Sequence, residues 1–203
     1  MAMGRGTQRG FTLYELLVTM LVASVVLTLG VPNLVQFARN NRMSAAANDM
    51  ITAILLARNE AIKGRLPVTL CVSPDPLADS PHCDRDLADP DSRGGYVVWV
   101  DANGDAVIDG GEDILRQQGQ PEDIALIAQS GFVTFDADGY VSDPAMSAPA
   151  MLFCDTRGNT VAAGSLSAAR GLVIDPLGRG RILREVDEVQ TLDTPTFGNL
   201  TCP

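Results

Sequence analysis

"RGFTLYELLVTMLVASVVLTLGVP", residues 9–32, joins an arginine, a long apolar run and a closing proline. From Phe11 to Val31 it contains 21 residues, and Glu15 is the single charged one. At about 1.5 Å per residue, a helix of this length covers the roughly 30 Å hydrocarbon core of a bilayer. Because no A-x-A type cleavage motif follows, the segment should stay with the protein. We therefore predict a transmembrane helix over residues 11–32, preceded by a short basic leader over residues 1–10.

Glu15 is the feature of this segment that needs an explanation. A carboxylate near the centre of a bilayer costs about 2.5–3.5 kcal/mol on insertion scales, so such groups usually have a partner. The segment offers no cation on the same helical face. A cut between Gly10 and Phe11 would create an amino group one helical turn before Glu15, and a neighbouring copy could supply that group. The alternative is that Glu15 lies close enough to the interface to reach water by itself.

The residues around this possible cut resemble a known processing site. "GFTLYELLV", residues 10–18, is similar to the start of type IV pilins and type II secretion pseudopilins. The resemblance implies that a prepilin peptidase cuts after Gly10 and methylates Phe11, and that Glu15 then guides docking into a helical filament. It also implies other pilin or pseudopilin subunits and an inner-membrane assembly platform as partners.

A second helical segment follows the apolar run, over residues 33–65. Pro32 should kink or locally open the helix, because it removes one backbone hydrogen bond. Beyond it, apolar residues recur every three or four positions, which predicts an amphipathic helix that ends near Gly64 and packs on the chain's own globular domain. The residues of this stripe are Met43, Ala47, Met50, Ile54, Ala57 and Ala61.

Residues 66–203 have the pattern of short strands broken by turns. Runs such as "LPVTLCVS", "GYVVWV", "GFVTF", "AMLFCD" and "RILRE" are β-branched or alternating, and "FDADGYV" and "DPLGRG" are typical of hairpin turns. The predicted fold class is α+β, with a long N-terminal helix packed on a C-terminal antiparallel β-sheet domain.

The order of motifs in this part of the chain resembles the GspH/FimT family of minor pilins and pseudopilins. The motifs are "WVDANGDAVIDGGEDILR", "FVTFDADGYV", "MLFCDTRGN" and "ARGLVIDPLGRGRIL". The resemblance implies a pilin-like fold, a single-pass anchor in the inner membrane and a β-rich domain in the periplasm. It also implies a structural role in protein secretion or pilus assembly.

Composition and cysteine count agree with a folded, exported domain. The formal net charge of -10 argues against a broad surface for nucleic acid or anionic lipid, although it does not exclude a local basic patch. Four cysteines in a membrane-targeted chain favour disulfides over reduced thiols or zinc. Three pairings are possible, and we favour Cys71 with Cys83 and Cys154 with Cys202. The first pair would pin an exposed loop over residues 74–93.

An acidic segment has the spacing of a twelve-residue calcium loop. In "DANGDAVIDGGE", oxygen-bearing side chains fall at the positions that ligate calcium, namely Asp101, Asn103, Asp105, Asp109 and Glu112. Ala106 stands at the sixth position, where calcium loops carry glycine, and the flanking segments are predicted strands rather than helices. A polar hairpin without metal is therefore the favoured interpretation, with calcium as the alternative. No other cofactor is expected.

Arginines near the C-terminus suggest a possible contact with DNA. "GRGR", Gly178 to Arg181, resembles a Gly-Arg-x-Arg motif that in FimT-like proteins is associated with DNA binding during natural transformation. Arg179 and Arg181 fall on one face of a predicted strand, and Arg184 falls on the other. Arg157 and Arg170 could come close in space. The alternative is a hairpin whose arginines pair with nearby acids.

The sequence gives little support for an enzyme. Its one histidine, His82, falls in a predicted loop, and no phosphate loop, HExxH or GxSxG motif occurs. Three functions stay open: a subunit of a type II secretion pseudopilus, a type IV pilus minor pilin with or without a role in binding DNA during uptake, and a singly anchored membrane protein that never assembles.

Overall fold

The structure is a computed structural model that describes residues 11–83, 94–142, 149–197 and 199–202. These residues divide into two compact units on either side of Asn40, and the first helix runs through the division. In chain order the elements are α1 (Leu13–Gly64), β1 (Val68–Ser73), β2 (Gly95–Val100), β3 (Ile114–Gln118), β4 (Ala125–Ala128), β5 (Phe132–Phe135), β6 (Ala150–Cys154), β7 (Val161–Ala163), β8 (Leu166–Ile174), β9 (Gly180–Glu185), α2 (Val186–Gln190) and a 3₁₀ turn (Pro195–Phe197).

The first unit consists of the apolar part of α1. An 18-residue window of this helix has a mean hydropathy of 2.0, and its side chains are exposed in the single chain. The length and composition are those of a membrane-spanning helix. The helical residues continue without a break through Pro32, so α1 does not open there, while a kink at this proline stays a prediction. Downstream, α1 ends at Gly64 as predicted.

The second unit contains two antiparallel sheets. The first sheet has the strand order β3-β2-β1-β5. In the second sheet β4 pairs with β6 and β6 with β8, while β7 and β9 both pair with β8. Neighbouring strands in both sheets are antiparallel, as the alternating runs and hairpin turns predict.

The main core lies where the amphipathic part of α1 meets both sheets. All six residues of the predicted stripe are buried, and Ala46 and Ala53 join them. Five of the eight buried helical residues are alanines, whose small side chains let the helix backbone approach the strands closely. Large residues from the sheets fill the remaining space, among them Leu70, Val98, Phe135, Met151, Phe153 and Leu172.

Two smaller clusters complete the second unit. One lies on the other face of the second sheet, where Val189, Leu192 and Leu200 of the C-terminal segment pack on Leu152 and Leu183. This segment therefore covers a sheet face that water would otherwise reach. The other cluster is formed by Trp99, Cys71 and Val97. Trp99 is fully buried, in agreement with the apolar strand that contains it.

The sequence predicts most of these elements but not all of them. Each of the five strand segments quoted above contains a strand, and both predicted hairpin turns are present. The short strand β7 and the helix α2 are absent from the prediction. The predicted loop over residues 74–93 is described as far as Cys83, and its remainder lies outside the described residues.

Candidate functional sites

The predicted processing site lies at the start of α1. Phe11 is 89% exposed, while Gly10 lies outside the described residues. The Glu15 carboxylate accepts hydrogen bonds from the Thr12 backbone N–H at 2.9 Å and from the Thr12 hydroxyl at 3.0 Å, and that hydroxyl accepts one from the Glu15 N–H at 3.2 Å. These reciprocal contacts form a capping box. The Thr-x-x-Glu spacing could have revealed it from the sequence, but our sequence analysis missed it.

The capping box changes how Glu15 should be understood. In the single chain its carboxylate is not without partners, since Thr12 supplies two donors from the same helical turn. Both donors are neutral, however, so they leave the negative charge of the carboxylate uncompensated. The carboxylate is also exposed in the single chain and can therefore accept a cationic donor from another molecule. The docking role of Glu15 stays a prediction.

The four cysteines form two disulfides. Cys71 pairs with Cys83 and Cys154 pairs with Cys202, as predicted. The first bond ties β1 to the loop after it, beside Trp99. The second ties the end of β6 to the C-terminal segment that covers the second sheet. Disulfides persist in oxidising compartments, and this pairing is therefore typical of an exported domain.

The arginines of the Gly-Arg-x-Arg motif lie on the β8–β9 hairpin and are paired with acids. Arg179 is 67% exposed and contacts Asp175 at 2.7 Å, while Arg181 is 70% exposed and contacts Glu188 of α2 at 3.1 Å. Exposed pairs of this kind contribute only about 0–1 kcal/mol each. The arginines are thus held in place by their acids, but weakly enough for another anion to compete.

The hairpin lowers the pKa of both carboxyl groups in these ion pairs. Burial raises the pKa of Asp175, but hydrogen bonds from the Arg179 backbone and side chain outweigh it, so the pKa lies below its usual value. A hydrogen bond from the Arg184 backbone holds the pKa of Glu188 below its usual value, with help from the Arg181 guanidinium. Both acids therefore stay ionised at neutral pH and keep their arginines partly neutralised.

Arg184 lies on the opposite face of β9 from Arg181. Side chains alternate along a strand, so Arg181 shares a face with Leu183 of the second cluster, and Arg184 shares one with Ile182 of the main core. The backbone N–H of Arg184 donates to Glu188 at 3.3 Å, but its side chain points to the other face. The structure separates Arg184 from the motif, as strand alternation predicts.

Gly178 of the motif has a left-handed backbone and approaches other parts of the chain closely. Its φ is +75°, and a Cβ there would lie 2.5 Å from the Gly139 carbonyl oxygen. The Arg58 side chain lies on the same spot, and its Nε donates to that carbonyl at 3.1 Å. The turn that carries Arg179 is therefore packed directly against α1 and against the turn that follows β5.

We expect Gly178→Ala to lower the free energy of unfolding by about 2–3 kcal/mol, because the backbone strain and the clash add together. Gly164→Ala is the matched control. Its φ is +62°, but a Cβ there meets open space, so we expect a loss of about 1 kcal/mol. Chemical denaturation of both variants checks the prediction. Equal losses would show that the contact with Gly139 and Arg58 is unimportant.

The predicted calcium loop is a hydrogen-bonded polar hairpin between β2 and β3. The fully buried Asp101 carboxylate accepts bonds from the Thr69 hydroxyl at 2.7 Å and from the Gly104 and Ala106 backbone N–H groups at 2.8 and 3.0 Å. Glu112 accepts from the Ala102 backbone N–H at 3.0 Å and the Asp109 backbone N–H at 3.1 Å. Two oxygen-bearing side chains at the ends of the loop are thus used by its own backbone.

The remaining predicted ligands also bond to one another. Asn103 donates to Asp105 at 3.0 Å and to Asp109 at 3.2 Å. Ala106 adopts a φ of 58°, so the left-handed turn that calcium loops make with glycine forms here with alanine. Across the described ranges, no group of three or more histidine, cysteine or acidic residues is arranged to hold a metal ion. These hydrogen bonds are those of a polar hairpin, and calcium binding stays a prediction.

Two variants of this loop, together with a calcium titration, distinguish a polar hairpin from a calcium site. We expect Asp101→Ala to lower the free energy of unfolding by about 3 kcal/mol, since it leaves buried donors unpaired. We expect Asp109→Ala, at an exposed position of the same loop, to cost less than about 1 kcal/mol. Thermal unfolding with millimolar calcium or with a chelator should give the same midpoint for the unaltered protein. A rise with calcium that Asp109→Ala removes would restore the calcium interpretation.

Comparison with known proteins places the chain in a family. Residues 46–178, more than half of the chain, match the family described as "Type II transport protein GspH", and residues 5–31 match the "Prokaryotic N-terminal methylation motif". No match among curated proteins reaches significance.

Two crystal forms of the Pseudomonas aeruginosa PAO1 type IV minor pilin FimU are similar in structure. The first has a TM-score of 0.49 at 18% identity and covers 72% of this chain and 92% of FimU. The second has a TM-score of 0.46 at 17% identity, with coverages of 69% and 91%. The family match and the methylation motif identify the chain: it belongs to the GspH family and is a minor pilin or pseudopilin, a structural protein of a type II secretion or type IV pilus system.

Proposed function

We propose that the chain is a subunit of a type II secretion pseudopilus in the inner membrane. The observation that carries this proposal is the match to the type II transport protein GspH family over residues 46–178. In this proposal residues 1–10 are a leader and residues 11–32 span the membrane. Residues 33–65 continue as the amphipathic helix, and residues 66–203 form the periplasmic domain.

Assembly begins with processing by the prepilin peptidase. Cleavage after Gly10 frees the amino group of Phe11, which is then methylated and lies one helical turn from Glu15. In the filament, Glu15 of one subunit accepts the positive end of a neighbour. The methylation motif over residues 5–31 supports this assignment, and so does the exposed, uncompensated carboxylate at the start of α1. A carboxylate paired with a cation is less costly in lipid than a carboxylate alone.

A deletion strain tests which machine contains the subunit. We expect exported proteins to accumulate in the periplasm while surface pili persist, and the unaltered gene to restore secretion. Loss of pili or of twitching with normal secretion would instead assign the chain to a type IV pilus.

DNA binding through the β8–β9 hairpin is the second candidate function. The observation that favours it is the pair of exposed arginines in the Gly178–Arg181 motif, each held by a single weak ion pair. A phosphate backbone can displace such acids and release counterions, which gives binding that depends on salt but not on sequence.

We expect the full-length protein in detergent to bind DNA at low salt, and Arg179→Ala with Arg181→Ala to weaken binding at least tenfold. Removal of two phosphate contacts should also reduce the slope of log affinity against log salt by about 2. Arg42→Ala is the matched control, because Arg42 is likewise exposed and paired with the acids Glu122 and Asp123. Unchanged mobility of DNA in a gel-shift assay, or binding indifferent to the double substitution, would remove this function.

A further inference from the structure

Arg170 is a buried cation in the middle of strand β8. Its side chain is 7% exposed, and Nη1 donates to the carbonyl oxygens of Ser167 and Ala169, the latter at 2.8 Å. Its Nε is buried without a hydrogen-bond partner. Arginines are rarely buried unless they are paired with an acid, because removal of a guanidinium from water is costly. Two carbonyl groups compensate this charge only in part.

The neighbouring strand brings a second arginine to the same place. Gly171 pairs with Leu183 across β8 and β9, so Arg170 and Arg184 are the next residues on the two strands. Both share the sheet face of Leu172 and Ile182 by strand alternation. Like charges at neighbouring cross-strand positions repel each other. The exposed Arg184 therefore adds to the cost of burying Arg170.

On the other side of β8, the segment that follows β6 contributes a third arginine and one acid. Arg170 pairs with Phe153 of β6, and the segment that follows this strand carries Asp155 and Arg157, which contact each other at 2.6 Å. Burial lowers the pKa of Arg170, as do the charges of Arg184 and Arg157, while Asp155 opposes them. Among the described residues, the charges of Arg184, Arg157 and Asp155 thus act on Arg170, and the Asp155 carboxylate is already bonded to Arg157.

We propose that Arg170 and Arg184, supported by Arg157, form a binding site for an oxyanion of the phosphate type. A phosphate offers several oxygens to the forked donors of guanidinium groups and carries the charge that this cluster lacks. Arg184 is the exposed member, so the anion reaches the site from solvent beside Arg184. This site is distinct from the Arg179 and Arg181 hairpin, whose arginines have their own acids. It does not depend on filament assembly.

Titration of the full-length protein in detergent with inorganic phosphate tests the site. We expect a saturable rise in the thermal midpoint that sodium chloride of equal ionic strength does not reproduce. Arg184→Gln should weaken phosphate binding at least tenfold. Arg42→Gln, an exposed arginine that is paired with Glu122 and Asp123 and belongs to neither arginine group, should leave it unchanged. Arg170→Met should abolish the effect. If that variant does not fold, the comparison of Arg184→Gln with Arg42→Gln decides alone.

The same titration with a DNA oligonucleotide identifies the source of the phosphate group. Displacement of inorganic phosphate by the oligonucleotide would assign the site to a nucleic acid backbone, and binding of phosphate without such displacement would assign it to the free anion. No stabilisation beyond that of chloride would overturn the proposal. Equal effects in all variants would show an adventitious ion only and would overturn it as well. Neither result would bear on the proposal that the N-terminal segment is processed and docks through Glu15.

Discussion

Replacement of Glu15 by alanine should abolish filament assembly and leave membrane insertion intact. Insertion should not suffer, because the substitution removes a charge that costs about 2.5–3.5 kcal/mol in a bilayer. Assembly should fail because the amino end of a neighbour loses its partner, and breaking a buried ion pair costs about 3–5 kcal/mol. That loss corresponds to more than a hundredfold in subunit affinity. The measurements are the carbonate-resistant membrane fraction and the fraction of subunits in sheared filaments.

Thr12→Ala is the control that separates docking from helix capping. Thr12 and Glu15 share the capping box, so both substitutions disturb the start of α1, at a cost of about 1 kcal/mol for a lost cap. Thr12→Ala retains the carboxylate and should still assemble. If the two variants assembled equally well or equally badly, the carboxylate would have no role beyond the cap.

Loss of the Cys154–Cys202 disulfide should be the most destabilising change in the second unit. The bond closes a sequence separation of 48 residues, against 12 for Cys71–Cys83. Chain-entropy estimates give losses of about 4 and about 3 kcal/mol for the two bonds. The longer bond also holds the C-terminal segment over the second sheet, so its removal should expose Leu192 and Leu200 as well. Chemical denaturation of the paired alanine variants measures both losses.

The shorter disulfide provides the matched comparison. Cys71→Ala with Cys83→Ala should unfold at a denaturant concentration between that of the unaltered protein and that of Cys154→Ala with Cys202→Ala. The opposite order would mean that the C-terminal segment stays packed without its covalent tie. In that case the apolar contacts of Val189, Leu192 and Leu200 would be sufficient to hold it.

Elements with a regular hydrophobic pattern were predictable from the sequence. The stripe from Met43 to Ala61 has helical period and is fully buried on the sheets. The strand around Trp99 is apolar throughout, because one face meets α1 and the other meets the cluster with Cys71. Gly139 and Gly178 mark the two hairpin turns through their left-handed backbone. In each case, residues that are close together in the sequence are sufficient to predict the local structure.

Features that depend on long-range contacts were not predictable in the same way. β7 has three residues and exists because β8 is long enough to pair with both it and β6. α2 has five residues and is held by packing of Val189 on the second sheet. The sequence suggested that Arg157 and Arg170 could meet, but the burial of Arg170 between two other arginines depends on the strand register. The partners of Arg179 and Arg181 likewise depend on the turn and on α2.

The mass of the protein recovered from its host tests the central claim most directly. We predict a mature chain that begins at Phe11 with a methylated amino group, so that Met1 to Gly10 are absent. This product would supply the cation that, in our proposal, Glu15 meets in a neighbouring subunit. Intact Met1 to Gly10 on the assembled protein would contradict the account, because the carboxylate would then have no amine to meet.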